Sequence, residues 1–420
     1  MNPVRYRIAQ DFDQAWLNFE LDLPLLPIAL DQPNPFYINR NENPLPAITD
    51  TLLAPFYNPP KLFLGGHRGN GKSTEAHHLL ADGQVNEKYW PVYFSIRDEA
   101  DVIDLDYKDV LLAIGSNLYR QFRAEGGKLT DALAKELELW RGKVEEEITT
   151  VLSNKITGVE FGAGLEAFFA NASLRMRMEP KTRRIIRQVI ASNVNGLLDV
   201  INKIVAEIEK IDGRTPLVVI DDLDKTSLKV SKDIFKDHFE VMTQPGCAIV
   251  YVVSSALFFS KEFDSIREHA YFLPNVILTD PANSKKYDSA GYVTMRKFVT
   301  VRMSNKLIEP SALMTAITFS GGVFRELARI MRTAISKSRR RGAYQITEAD
   351  VIWAVNEIRN DFRRILEEED LKVLKKFDSD HLVQYHERVN PLMQLSALME
   401  YKNGKNWFGV HPIVKGLLHE

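Results

Sequence analysis

A single cysteine, Cys247, in 420 residues leaves no intrachain disulfide framework, and its place before an apolar run reads as a small buried hydrophobe rather than a reactive thiol. No run of about 18 apolar residues is present to span a bilayer. Residues 1–20 have no apolar core of a secretion signal, and Asp11, Asp13 and Glu20 give them acids that a transit peptide lacks. A cytoplasmic protein with no membrane partner is therefore expected. Charge of one sign is also missing: 54 basic against 56 acidic residues leave a net charge of −2, with no global pull toward nucleic acid or anionic lipid. Any such contact has to come from a local patch. What is present is an ordinary globular mix, 45% hydrophobic and 26% charged, in a chain long enough for two or three cores.

Prolines 24, 27, 33, 35, 44, 46, 55, 59 and 60 break any long helix in the first sixty residues, so residues 1–35 read as an irregular lead-in. Lys61 to Leu64 is a short apolar run ended by Gly65-Gly66, and Lys72 to Leu80 follows as a helix. Pro91 to Ile96, Pro216 to Ile220 and Ala248 to Val253 read as buried strands, with Phe272 to Leu278 a candidate last strand. Between them the period changes. Leu129, Leu133, Leu137, Trp140, Val144, Ile148 and Val151 step by fours and threes, as do Ile186, Ile190, Val194, Leu197, Ile201, Ile204 and Ile208. That spacing predicts a helical hairpin or coiled-coil pair. Residues 153–178, with glycines 158, 162 and 164, carry no assignment.

The segment Gly66-His67-Arg68-Gly69-Asn70-Gly71-Lys72-Ser73 satisfies the Walker A spacing and stands between a strand and a helix, the context that this pattern needs. Glycines let successive backbone N–H groups turn inward around phosphates, which also meet the positive end of the following helix. Lys72 supplies a cation for the β and γ phosphates, Ser73 a hydroxyl for Mg²⁺ and Thr74 a hydrogen bond to a neighbouring phosphate. His67 and Arg68 are either exposed loop residues or contacts behind the loop. ATP and Mg²⁺ are the expected ligands.

A phosphate loop needs carboxylates opposite it to hold the metal and orient a water. Leu217 to Ile220 followed by Asp221-Asp222 supplies them, with Asp221 as the magnesium-side acid and Asp222 as the group that polarises the attacking water. Asp224 and Lys225 either contact a neighbouring subunit or are solvated.

The order of Walker A, then Asp221-Asp222-Leu223-Asp224-Lys225 after an apolar strand, then Ala248 to Ser255, resembles the AAA+ and STAND side of the P-loop superfamily, close to KAP-type and origin-recognition-like ATPases. The resemblance covers roughly residues 36 to 360. It implies an α/β fold: a P-loop parallel sheet flanked by helices, with a long helical insertion, an α-helical lid and a small C-terminal winged-helix-like module. It implies a core over 36–282 interrupted by the insertion at about 125–212, a lid over 283–376 and the last module over 377–420. By the same resemblance Ser254 is a γ-phosphate sensor, or otherwise a strand cap. Arg325, in Gly321-Gly322-Val323-Phe324-Arg325, falls at the lid arginine that approaches the phosphates. Tyr37-Ile38-Asn39-Arg40 is similar to the segment that lines the adenine pocket, and Arg267 is a candidate arginine finger.

Lys72 and Asp221 lie about 150 residues apart, far more than one strand and helix need. The insertion accounts for the excess, and it is expected to project as an arm for a partner protein or a second copy. Asp222 stands where many AAA+ members have glutamate, which suits slow turnover. Two basic clusters, Arg175, Arg177, Lys181, Arg183, Arg184 and Arg187, and Lys337, Arg339, Arg340 and Arg341, are candidates for DNA contact; the second also has the helix dipole as a structural reason. Near the end, Asn403-Gly404 marks a hairpin, and Trp407 and His411 read as packing residues. The leading expectation is an ATP-driven assembly switch in a multi-protein bacterial system such as phage defence. A DNA-engaging loader or transposition regulator and a non-hydrolysing ATP-stabilised scaffold are the alternatives.

Overall fold

The computed structural model describes residues 6–22, 25–40, 42–153, 164–258, 266–278, 290–380, 387–403 and 405–420. Glycines 158 and 162 and the turn residue Gly404 lie outside them. The chain forms two compact units, one of Pro46–Gly65 and Asp82–Tyr271, the other of Met1–Leu45, Gly66–Ala81 and Phe272–Glu420.

The chain carries a five-stranded parallel sheet flanked by helices. Its strands are β1 (Lys61–Gly66), β2 (Tyr89–Ser95), β3 (Thr215–Asp221), β4 (Ala248–Ser254) and β5 (Ala270–Leu273), in the order β2-β3-β4-β1-β5. The short apolar runs become strands covered on both faces: every residue of β4 is buried, and so is β3 from Pro216 to Asp221. Pro91 has no N–H for a ladder and accordingly sits on β2, the edge strand, opposite Leu217. The register brings Ser95 beside Asp221 and Tyr93 beside Val219. The expected strand over Phe272 to Leu278 is shorter and earlier, ending at Leu273.

The insertion is four helices rather than a hairpin: Asp131–Ser153, Leu165–Met178, Pro180–Ser192 and Val194–Asp212. Nor does it stand off as a two-helix arm. Leu197, Ile201, Ile204 and Ile208 join Ile114 and Leu118 of the helix Tyr107–Ala124 and Val218, Ile220 and Ile249 of the sheet in one hydrophobic core. Gly115 makes this close approach workable, since a Cβ there would stand 3.2 Å from Ile201 Cγ1. The periodicity was that of a buried face, and sequence spacing does not distinguish a helix packed on a sheet from one packed on its twin. Among the described residues no single helix is long and apolar enough to cross a membrane.

The second unit is helical. Phe324–Arg340 packs on Glu348–Ile365, whose start is a capping box formed by Thr347 and Asp350. The N-terminal helix Phe12–Asn18 lies along Phe324–Arg340, where Arg332 covers the Trp16 ring at 3.6 Å and pairs with Glu20 at 2.8 Å. Gly322 precedes this helix with φ +78°, and a Cβ there would stand 1.8 Å from the Val276 carbonyl oxygen, so no other residue fits. An antiparallel pair, β6 (Leu398–Asn403) and β7 (Lys405–Val410), completes the unit. Tyr401 donates from its hydroxyl to the Gly321 carbonyl at 2.8 Å, and its ring stacks on Trp407. His411 is buried and its Nδ1 accepts from Ile413 N–H at the start of Pro412–Lys415, a packing position.

Candidate functional site

The phosphate-loop sequence adopts a tight turn closed by its own lysine. Lys72 is buried, and its Nζ donates to the carbonyls of Gly66 at 2.9 Å and His67 at 3.0 Å, which draws the ammonium across the loop. Gly71 caps the helix Lys72–Leu80 in the left-handed region at φ +100°, and Gly69 lies there too at φ +85°. Gly69 is also required by space: a Cβ would stand 2.5 Å from Arg325 Cβ. Ser73 and Thr74 are half-buried in the first helical turn, and Arg68 is exposed. An anion at such a turn meets backbone N–H groups, the helix dipole and one ammonium together.

His67 is not the exposed loop residue that was one reading of the sequence. It is fully buried, and its Nε2 accepts the Glu400 N–H of β6 at 2.8 Å. Burial, and then the Lys72 charge, push its pKa down to about 3. Behind the loop, Glu75 is buried on the phosphate-loop helix and accepts from Tyr37 Oη and Asn43 Nδ2, both at 3.0 Å. Tyr37 stacks on His78 with ring centroids 3.8 Å apart. Arg40 is buried beside Glu75 and donates to the carbonyls of Asn70 and Pro274. The segment expected along the adenine pocket thus places these two side chains on the loop and its helix. Asn70 points its amide to the Leu273 carbonyl.

At the end of β3, Asp221, Asp222 and Asp224 present carboxylate oxygens within 4.8 Å of one another. An all-oxygen donor set of this kind suits a hard divalent cation such as Mg²⁺. Asp221 is buried, accepting from Tyr93 Oη at 2.7 Å and from the Asp222 backbone N–H at 2.7 Å. Asp222 holds φ at +65°, uncommon for a residue with a side chain, and accepts from Ser95 Oγ at 2.6 Å, while Lys225 Nζ lies 3.6 Å away. Burial and then Asp221 hold the Tyr93 hydroxyl protonated, with its pKa well above the usual phenol range. It therefore remains a donor. Tyr93 and Ser95 were missed in the sequence. They stand two apart on one face of β2, and only the pairing of β2 with β3 reveals what they face.

Ser254 is buried at the end of β4, and its Oγ accepts the Ala256 N–H at 3.2 Å, the bond of a strand-end cap. Arg325 meets the loop through its backbone: its N–H donates to the Gly69 carbonyl at 3.1 Å. Its guanidinium instead pairs with Asp22 at 2.8 Å. Arg267 is exposed. The basic clusters are paired in part within the fold, while Arg177, Lys181 and Arg184 are exposed. Arg183 pairs with Asp101 and Asp104, Arg187 with Asp104 and Asp109, and Arg175 with Glu179. In the second cluster Arg341 pairs with Asp350 and Arg339 with Asp13, while Lys337 and Arg340 lie over the Trp353 ring.

No family model matches the sequence and no curated protein matches it. Solved structures resemble it weakly. A chain of Drosophila ORC bound to DNA has a TM-score of 0.44 at 10% identity, with 97% of this chain and 91% of that chain covered. The Aeropyrum pernix ORC2 protein in ADPNP-ADP complexes has 0.44 at 11%, covering 96% and 95%. The Thermotoga maritima RuvB Holliday junction branch migration motor has 0.36 at 12%, covering 94% and 98%. At so low an identity the chemistry of the site rests on its own residues.

Proposed function

We propose that this chain is an AAA+-type P-loop ATPase that binds Mg-ATP on the loop Gly66 to Thr74 and acts as a slow, ATP-dependent assembly switch. The observation that carries the reading is the phosphate loop itself, in which Lys72 is drawn across a glycine turn at the head of a helix. In this reading Lys72 and the loop N–H groups hold the β and γ phosphates, and Ser73 and Asp221 take Mg²⁺. Asp222 orients the attacking water. Bound Mg²⁺ supplies charge neutralisation at the phosphates, while Tyr93 and Ser95 keep the two acids aimed. Ser254 and Arg325 remain assigned as sensors, which requires the Arg325 guanidinium to leave Asp22.

Assembly with itself or a partner protein is the leading reading, and a DNA-engaging role is the alternative: Arg183, Arg187, Arg339 and Arg341 are paired internally, while Arg177, Lys181 and Arg184 are exposed. Where in the cell it acts, a bacterial defence system included, rests on resemblance, as does a winged-helix role for residues 377–420. Mg-ATP binding by the purified chain, abolished in Lys72→Ala, tests the reading; wild-type protein that binds no nucleotide overturns it. Phosphate release that is the same in Asp222→Asn and the parent would leave the non-hydrolysing scaffold instead.

A further inference from the structure

The Asn70–Gly71 peptide sits at the bend of the phosphate loop, and which way it faces decides whether the loop can receive an anion. Its carbonyl accepts from Arg40 Nη2. In a planar trans peptide the C=O and the following N–H point in opposite directions, so a carbonyl held toward Arg40 turns the Gly71 N–H away from it. A flipped peptide would present a carbonyl oxygen to the phosphates in place of a donor, and would repel them. Arg40 is well placed to prevent the flip. It is 6% exposed, its Nη1 donates to the Pro274 carbonyl at 3.0 Å, and its guanidinium lies 4.9 Å from the Phe324 ring. Glu75 Oε1 stands 3.8 Å from Nη2 and supplies the counter-charge that a buried guanidinium needs. Glu75 is in turn fixed by Tyr37 and Asn43. Gly71 is closely approached as well: a Cβ there would stand 3.0 Å from Arg40 Nη2.

We propose that Arg40, held by Glu75, is a positioning residue for phosphate binding: it touches no nucleotide, and it sets the Asn70–Gly71 peptide in the orientation that gives the Gly71 N–H to the triphosphate. The inference rests on the phosphate-loop reading and deepens it. A guanidinium suits the task because its planar fork serves two carbonyls at once, whereas an ammonium on the same stem serves them less well.

The test measures Mg-ATP affinity for the full chain and for Arg40→Met, Arg40→Lys, Glu75→Gln and Lys72→Ala, with thermal melting and amide exchange on each. Arg40→Met is expected to weaken Mg-ATP binding at least tenfold and to speed exchange in the loop 66–74. Exchange in the helix Phe324–Arg340 is expected to stay as in the parent. Arg40→Lys is expected to recover part of the affinity and Glu75→Gln to lose about threefold. In turnover, KM for ATP should rise while kcat at saturation stays within about threefold, the signature of lost ground-state binding. If Lys72→Ala abolishes binding while folded Arg40→Met binds like the parent, the brace is wrong and the phosphate loop stands. If Arg40→Met does not fold, parental affinity in both Arg40→Lys and Glu75→Gln overturns the proposal, and a loss in both supports it. A parent that binds no Mg-ATP removes the phosphate-loop reading and this inference with it.

Discussion

At the scale of single residues, the acids and the buried histidine make the sharpest statements. Asp222→Asn keeps the shape of the side chain and loses the charge proposed to polarise the attacking water. Turnover is expected to fall by about 10²–10³-fold with Mg-ATP affinity nearly unchanged, as phosphate-release and binding assays would show. Tyr93→Phe removes one hydroxyl that donates to Asp221. The magnesium concentration at half-maximal activity should rise, and stability should fall by about 1–2 kcal/mol. His67 has a folded-state pKa of about 3, below its unfolded value, because burial and Lys72 disfavour the charged form. The unfolded chain therefore binds the extra proton first, and stability is lost as the pH falls from about 6.5 toward 3. His411, also lowered to about 3 by burial and then Arg329, acts with the same sign. Each contributes roughly 2 kcal/mol of lost stability at pH 5 relative to pH 8. Denaturant unfolding at the two pH values measures it, and His67→Gln should flatten the dependence by one proton.

At the scale of elements, two helices depend on single buried positions. Ile201 on Val194–Asp212 is fully buried in the core shared with the sheet and lies against Gly115. Ile201→Ala is expected to cost about 2–4 kcal/mol, read from a shifted unfolding midpoint, because the cavity opens between two helices that cannot close on it. A freely projecting arm would show little change. Asp350 accepts from Thr347, Ser338 and Arg341 at the head of Glu348–Ile365. Asp350→Ala removes a capping box and a partly buried ion pair at once, with an expected loss of about 2–3 kcal/mol.

At the scale of the whole molecule, the distribution of charge decides between partners. With Arg183, Arg187, Arg339 and Arg341 paired internally, these four side chains have carboxylate partners to give up before they can displace counterions from a phosphate backbone, whereas Arg177, Lys181 and Arg184 are exposed. Duplex DNA is expected to bind no tighter than about 10⁻⁵ M near physiological salt, with a shallow salt dependence, by fluorescence anisotropy. Assembly should instead respond to nucleotide: the solution mass of the parent is expected to change with Mg-ATP, and that of Lys72→Ala to stay constant. A mass unchanged by Mg-ATP in a parent that binds it would remove the switch.

What the sequence determined by itself lies in local chemistry. The glycine spacing from Gly66 to Gly71, the apolar run into Asp221 and the Thr347 capping box are written within a few residues of one another, and backbone sterics turn them into a loop, a strand end and a helix start with little outside help. Tertiary structure decided what depends on neighbours distant in the chain. Whether an apolar helical stripe meets a twin or a sheet, and whether an arginine meets an anion or Asp109, follow from packing. That His67 meets Glu400, Tyr93 meets Asp221 and Arg40 meets Asn70 is likewise fixed by chain pairing over 30 to 333 positions, where one residue's spacing carries no information about the other.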